Sequence, residues 1–113
     1  MRRELLLVCA AVFLLGEAQT TGGTAANGKT NQAEVEIDNF TFAPVTLTVP
    51  AGTTVKWVNR DDIPHTVVSE DRRTFKSKAL DTDDSFSYTF TQPGTYTYFC
   101  SIHPKMTAKV VVQ

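Results

Sequence analysis

The chain has 113 residues, 42% of them hydrophobic, with 11 basic against 12 acidic side chains and a formal net charge of −1. That length supports one small domain with its own core and is too short for two. A near-neutral balance without a basic stripe argues against a nucleic-acid partner.

In chain order, Met1-Arg2-Arg3-Glu4 precedes an apolar run from Leu5 to Gly16, and Gly16 and Ala18 place small residues before a cleavage point after Ala18. This pattern predicts a secretory signal peptide over residues 1–18. The run is shorter than the ~20 residues that cross a bilayer as a helix, so no membrane insertion is expected after signal cleavage. Cys9 follows Val8 inside the run and leaves with it, so Cys100 is the one cysteine of the mature chain. A lone cysteine in an exported protein cannot form an internal disulfide, which adds weight to a metal or catalytic role.

Residues 19–32 are small and polar, with nothing apolar larger than alanine. They cannot bury enough surface to order themselves and are expected to be a flexible leader. From residue 33 to 113, β-branched and aromatic residues come in short alternating runs, which predicts one all-β domain, a sandwich or barrel. The expected strands are Ala33 to Ile37, Phe40 to Val49, Thr53 to Asn59, His65 to Ser69, Ser85 to Thr91, Thr95 to Cys100 and Thr107 to Val112. Pro50-Ala51-Gly52 and Gln92-Pro93-Gly94 punctuate them as turns. Alternation puts Phe86, Tyr88 and Phe90 on one face of their strand and Tyr96, Tyr98 and Cys100 on one face of theirs, so Cys100 points inward. Residues 70–84 carry charges of both signs around two apolar anchors, Phe75 and Leu80, and are expected to form a long surface connection.

The run Cys100-Ser101-Ile102-His103-Pro104-Lys105-Met106 places thiolate, imidazole and thioether at three-residue intervals. Soft sulfur with imidazole suits copper. His65, the only other histidine of the chain, would complete a trigonal set of two histidines and a cysteine with a weak axial methionine, the ligand set of an electron-transfer copper site. Thirty-odd residues between His65 and Cys100 are no obstacle, because a sandwich brings distant strand ends together.

In these residues the sequence resembles the cupredoxins, and among them the amicyanins, over roughly Glu34 to Gln113. The tight C-x2-H-x2-M loop carries the distinction. Trp57-Val58-Asn59-Arg60 leading to Pro64-His65, Gly94-Thr95-Tyr96 before the cysteine, and the ending Lys109-Val110-Val111-Val112 extend the likeness. The resemblance implies a Greek-key β-sandwich holding one type 1 copper ion, with His65, Cys100 and His103 as equatorial ligands and Met106 as the long axial one. It also implies that Asn59 ties the first-histidine segment to the cysteine loop. The implied function is that of a blue copper protein, periplasmic or otherwise exported, a monomer that carries single electrons between a donor and an acceptor redox protein docking near His103. The exposed edge of His103 would lie in an apolar patch of Ile63, Pro64, Ile102 and Pro104. Lys105 departs from the family's bulky apolar residue at its position, and a cation there would favour an acidic docking face.

Three other functions compete. A copper oxidase or nitrite reductase needs further histidines, and this chain has none to spare, so it is not expected to be an enzyme. An exported copper carrier or buffer could use the same four ligands without passing electrons. Zinc fits loosely, since methionine is a poor zinc ligand. Asp81-Thr82-Asp83-Asp84 lacks the glycine and glutamate of a calcium loop and is expected to be a solvated turn.

Overall fold

The computed structural model describes residues 31–113. The expected signal peptide, Cys9 and nearly all of the leader lie outside the described residues. Within them, strand β1 spans Gln32–Asp38, β2 Thr41–Ala43, β3 Thr46–Val49 and β4 Thr53–Asn59. Strand β5 spans Val68–Ser69, β6 Ser85–Phe90, β7 Gly94–Phe99 and β8 Thr107–Val112. Two four-stranded sheets result, ordered β2-β1-β4-β6 and β3-β8-β7-β5. Both are mixed: β1 runs parallel to β4 and β3 parallel to β8, while the remaining pairs are antiparallel.

Side-chain alternation sets the inner faces. In β1, Val35 and Ile37 are buried while Glu34 and Glu36 face solvent, the half-buried pattern of a strand with one face on a core. Phe86, Tyr88 and Phe90 turn inward together, as do Tyr96, Tyr98 and Cys100. Trp57 of one sheet meets Tyr98 of the other edge-to-face at 5.4 Å, and Phe42 meets Tyr98 at 4.7 Å, so aromatic packing joins the layers. Burial pushes the Tyr98 hydroxyl up to about 12. A loose approach by the Trp57 indole, short of a hydrogen bond, only partly opposes this.

Two expected strands come out differently. The run Phe40 to Val49 is two strands in different sheets, because Pro44 offers no N–H to a ladder and the chain changes sheets there. Phe40 itself lies before β2 with φ 59°, following Asn39 at φ 50°, so it leaves the alternation that a continuous strand would impose. Of His65 to Ser69 only Val68–Ser69 is strand; His65 makes an isolated bridge to Leu80, and Val68 one to Lys76. The connection over residues 70–84 therefore supplies part of the pairing, and its anchors Phe75 and Leu80 are buried in the core. Asp81, Thr82 and Asp83 form an exposed turn, with Arg60 paired to Asp83 at 2.8 Å.

That connection starts with a side-chain-built turn. Asp71 accepts from Ser69 Oγ at 2.6 Å, from Thr74 Oγ1 at 2.6 Å, and from the Thr74 and Arg73 amides at 3.0 and 2.9 Å. The Ser69 bond first, then those from Thr74 and Arg73, hold its carboxyl well below the usual range. A depressed carboxyl contributes stability above its unfolded value, and that contribution is lost as pH falls through the folded value. Asp71→Asn should therefore lower the melting temperature at neutral pH, with the gap from the native protein narrowing below about pH 4. Melting curves across pH check this; a gap that widens in acid contradicts it.

Candidate metal centre

At one end of the sandwich two chain segments meet. The first leaves β4 at Asn59 and reaches His65, whose backbone is clamped to Leu80 by N–H to O contacts of 3.1 and 2.7 Å. The second leaves β7 at Phe99 and makes the tight loop 100–106. That loop closes on itself: the Cys100 amide donates to Met106 O at 3.0 Å, His103 to Cys100 O at 3.2 Å, and Met106 to His103 O at 2.9 Å. The clasp between the segments is Thr66. Its Oγ1 accepts from the Ser101 amide at 2.7 Å and lies 2.8 Å from Ser101 Oγ.

The sequence-predicted residues converge here. His65 and Cys100 are fully buried and His103 is half-buried, with one ligand atom from each lying within 4.8 Å of the others. The Nδ1 atoms of His65 and His103 each stand 3.7 Å from Cys100 Sγ. Metal–nitrogen and metal–sulfur lengths of about 2.0 and 2.3 Å, as at zinc, spread about 120° apart in a trigonal plane, separate nitrogen from sulfur by about 3.7 Å. The donor set therefore fits one small ion in trigonal coordination. Met106 is buried on the same loop, its backbone bonded to both Cys100 and His103.

Cys100 is prepared as a thiolate. Burial alone would push its thiol up, but the Thr66 amide at 3.4 Å and then the two imidazoles outweigh this and bring it down to about 6. A thiolate is the form that binds metal.

Asn59 behaves differently from the expectation. Its Nδ2 donates to Ile63 O at 2.9 Å and Leu80 O at 2.8 Å, and its Oδ1 accepts from the Asp61 amide. It fastens the His65 segment to the 70–84 connection and does not reach the cysteine loop; Thr66 makes that link, because its hydroxyl is the group within reach of Ser101.

The surface around His103 also differs. The hollow beside it is lined by Phe40, Ile102, Pro104, Lys105 and Met106. Ile102 and Phe40 are 47% and 46% exposed, large values for apolar side chains. Phe40 meets His103 edge-on at 5.0 Å and His65 at 5.6 Å. The apolar bulk absent at Lys105 thus arrives from the turn before β2. Sequence reasoning missed Phe40, Thr66 and Asp61, the last 2.9 Å from His65 Nε2 through Oδ2.

A family model described as a cupredoxin-like domain matches residues 5–112. Amicyanin from Paracoccus versutus is 35% identical over 95 residues, spanning 79% of this chain and 70% of the relative. The chloroplastic plastocyanin of Tetradesmus obliquus is 31% identical over 116 residues, spanning 92% of this chain and 78% of that one. Among solved structures, a purple cupredoxin from Nitrosopumilus maritimus superposes with a TM-score of 0.67 at 35% identity, covering 72% of this chain and 99% of its own.

The clasp can be tested alone. Thr66→Val keeps the shape and the amide donor to sulfur but strips the acceptor from the Ser101 amide. It should cost about 1 kcal/mol in urea unfolding of the metal-free protein. An unchanged midpoint would mean that Thr66 does not join the two segments.

Proposed function

The chain belongs to the cupredoxin family, and from that membership we propose that His65, Cys100, His103 and Met106 hold its single copper ion, with redox partners docking beside His103. The protein is an electron carrier and not an enzyme. The observation that carries the ligand assignment is the pair of Nδ1 atoms, each 3.7 Å from one buried sulfur. Copper supplies a one-electron couple there. The residues supply a fixed frame, and a frame that need not rearrange between oxidation states lowers the cost of each transfer.

Several features favour copper and electron transfer over the competing functions. Thiolate and thioether are soft donors, which select copper over harder ions. A catalytic zinc site would want a free base near its open position, but the nearby carboxylate of Asp61 is bound to His65 Nε2, on the side of the ring away from sulfur. A copper buffer gains from a site that opens to release its ion, whereas the backbone bonds within 100–106 hold this loop shut.

Partners meet the protein at the hollow beside His103. That half-buried ring offers a short path from the metal to the surface, and exposed Ile102, Pro104 and Phe40 give an apolar contact around it. Lys105 at the rim favours an acidic partner face. The signal pattern of residues 1–18 supports a periplasmic or otherwise exported protein, and no helix among the described residues is long and apolar enough to cross a membrane.

Copper loading tests the assignment. One ion per chain should give an intense visible band that bleaches on reduction, because a thiolate donates charge to the metal in a trigonal site. Cys100→Ser should remove the band, while Met106→Gln should keep it and move the potential. A faint band typical of tetragonal nitrogen and oxygen ligation, or equal loss of colour in both variants, contradicts the assignment.

A further inference from the structure

We propose that the outer face of the β3-β8-β7-β5 sheet, where Arg72 lies on the ring of Phe99 with Lys76 and Lys78 beside it, is a second docking surface that takes the acidic face of a redox protein. The inference rests on the reading of the chain as an electron carrier, yet its first test needs no copper.

Strand register builds the face. Tyr98 and Cys100 turn into the core, so Phe99 between them points outward. Val68 stands opposite Phe99 across β5 and β7 and bridges to Lys76 on its other side; residues directly opposite in an antiparallel pair share a face. Val68 is 1% exposed although it lies outside the core cluster between the sheets, so it is covered from without, and Phe99 is its neighbour there. Lys76 and Lys78 are exposed and alternate with buried Phe75 and Ser77, which turns both lysines to solvent.

Arg72 is held over this row by a turn under strain. Its φ of 61° lies in the left-handed region, which is unfavourable for a bulky side chain and persists only where neighbours impose it. Its amide donates to Ser69 O at 2.8 Å, and the Asp71 carboxylate ties down the Arg73 and Thr74 amides on the far side. The result is a guanidinium carbon 4.9 Å from the centre of the Phe99 ring, a cation–π contact. A guanidinium stacked by its face still has its N–H edge to offer a carboxylate.

Charge selects the partner. Arg72, Arg73, Lys76 and Lys78 are exposed, and none of them forms an ion pair among the described residues. The nearby carboxylates are Glu70, which is exposed, and Asp71, whose oxygens are taken up within the turn. The outer face of the other sheet has the opposite sign, with Glu34, Glu36 and Asp38 exposed along β1 and Lys56 opposite Glu34. A molecule polarised in this way draws an acidic surface to its 72–78 side. Phe99 immediately precedes Cys100, so a partner seated there stands one residue from a proposed metal ligand and leaves the hollow beside His103 open. Donor and acceptor then need not compete for one surface.

The probe is an oxidised plant-type [2Fe–2S] ferredoxin, an acidic redox protein whose paramagnetic cluster broadens the amide signals it approaches. Titrated into the metal-free, nitrogen-15-labelled protein at about 0.1 M salt, where charges more than about 10 Å apart are screened, it should first broaden residues 68, 72–78 and 97–99. Lys76→Glu should weaken binding about tenfold. Lys56→Glu and Lys105→Glu change the net charge equally and should weaken it less than about twofold. Equal losses in all three variants would reduce the effect to general attraction and overturn the proposal. Broadening centred on residues 102–106, or none at all, also overturns it, as does self-association of the chain through its acidic β1 face that ferredoxin fails to displace. Copper that gives no thiolate band removes the electron-carrier reading and leaves the titration as the test of the face.

Discussion

The metal centre depends on the clasp between Thr66 and Ser101, because each residue directly follows a proposed ligand. Thr66 comes after His65 and Ser101 after Cys100, so the bonds between them at 2.7 and 2.8 Å fix the separation of the two ligand-bearing backbones. The Thr66 amide then donates to the sulfur at 3.4 Å. Thr66 thus helps to set both the position of the thiolate and, with the two imidazoles, its charge state. A buried anion this well provided with donors is stable in the fold, whereas the same sulfur in an apolar core would remain a thiol.

The sandwich makes that clasp possible by delivering the two segments to the same end. The β4 strand runs through the fully buried Trp57 to Asn59, and β7 runs through the fully buried Tyr98 to Cys100, in opposite sheets whose aromatic side chains meet between the layers. Asn59 and Leu80 then pin the chain beyond β4 before it reaches His65. The rigid aromatic core is therefore the foundation, the backbone bonds of the 100–106 loop are the local brace, and the Asp61 contact at 2.9 Å steadies the His65 ring. These levels agree, as expected for a site that binds its ion without reorganising.

Much of this was legible in the sequence, for identifiable reasons. Cys100, His103 and Met106 lie on one loop whose spacing is itself the signal, and His65 was the only other histidine to pair with them. The strands were readable wherever one face is buried and alternation is strict, as in β1, β6 and β7. Reading failed where a residue's role depends on contacts remote in sequence. Asp61 and Asp62 look alike as neighbouring loop charges, and only the fold points one of them at a histidine four positions on. Phe40 appeared to belong to a strand, since a positive φ at a bulky residue leaves no mark in composition. Asn59 was credited with a bond to the cysteine loop that Thr66 makes instead, because the asparagine amide is taken up by the Ile63 and Leu80 carbonyls. The parallel pairings of β1 with β4 and β3 with β8 carry no local signature either.

A frame held by its own hydrogen bonds should exist before the metal arrives. The most direct measurement is a pair of crystal structures, one metal-free and one copper-loaded. With a preformed site, His65 Nδ1, Cys100 Sγ and His103 Nδ1 should each move by less than about 0.5 Å between the two, with the Thr66 to Ser101 bonds intact in both. A 100–106 loop that is rearranged or opened in the metal-free crystal would show instead that copper builds the site, and would contradict the central claim.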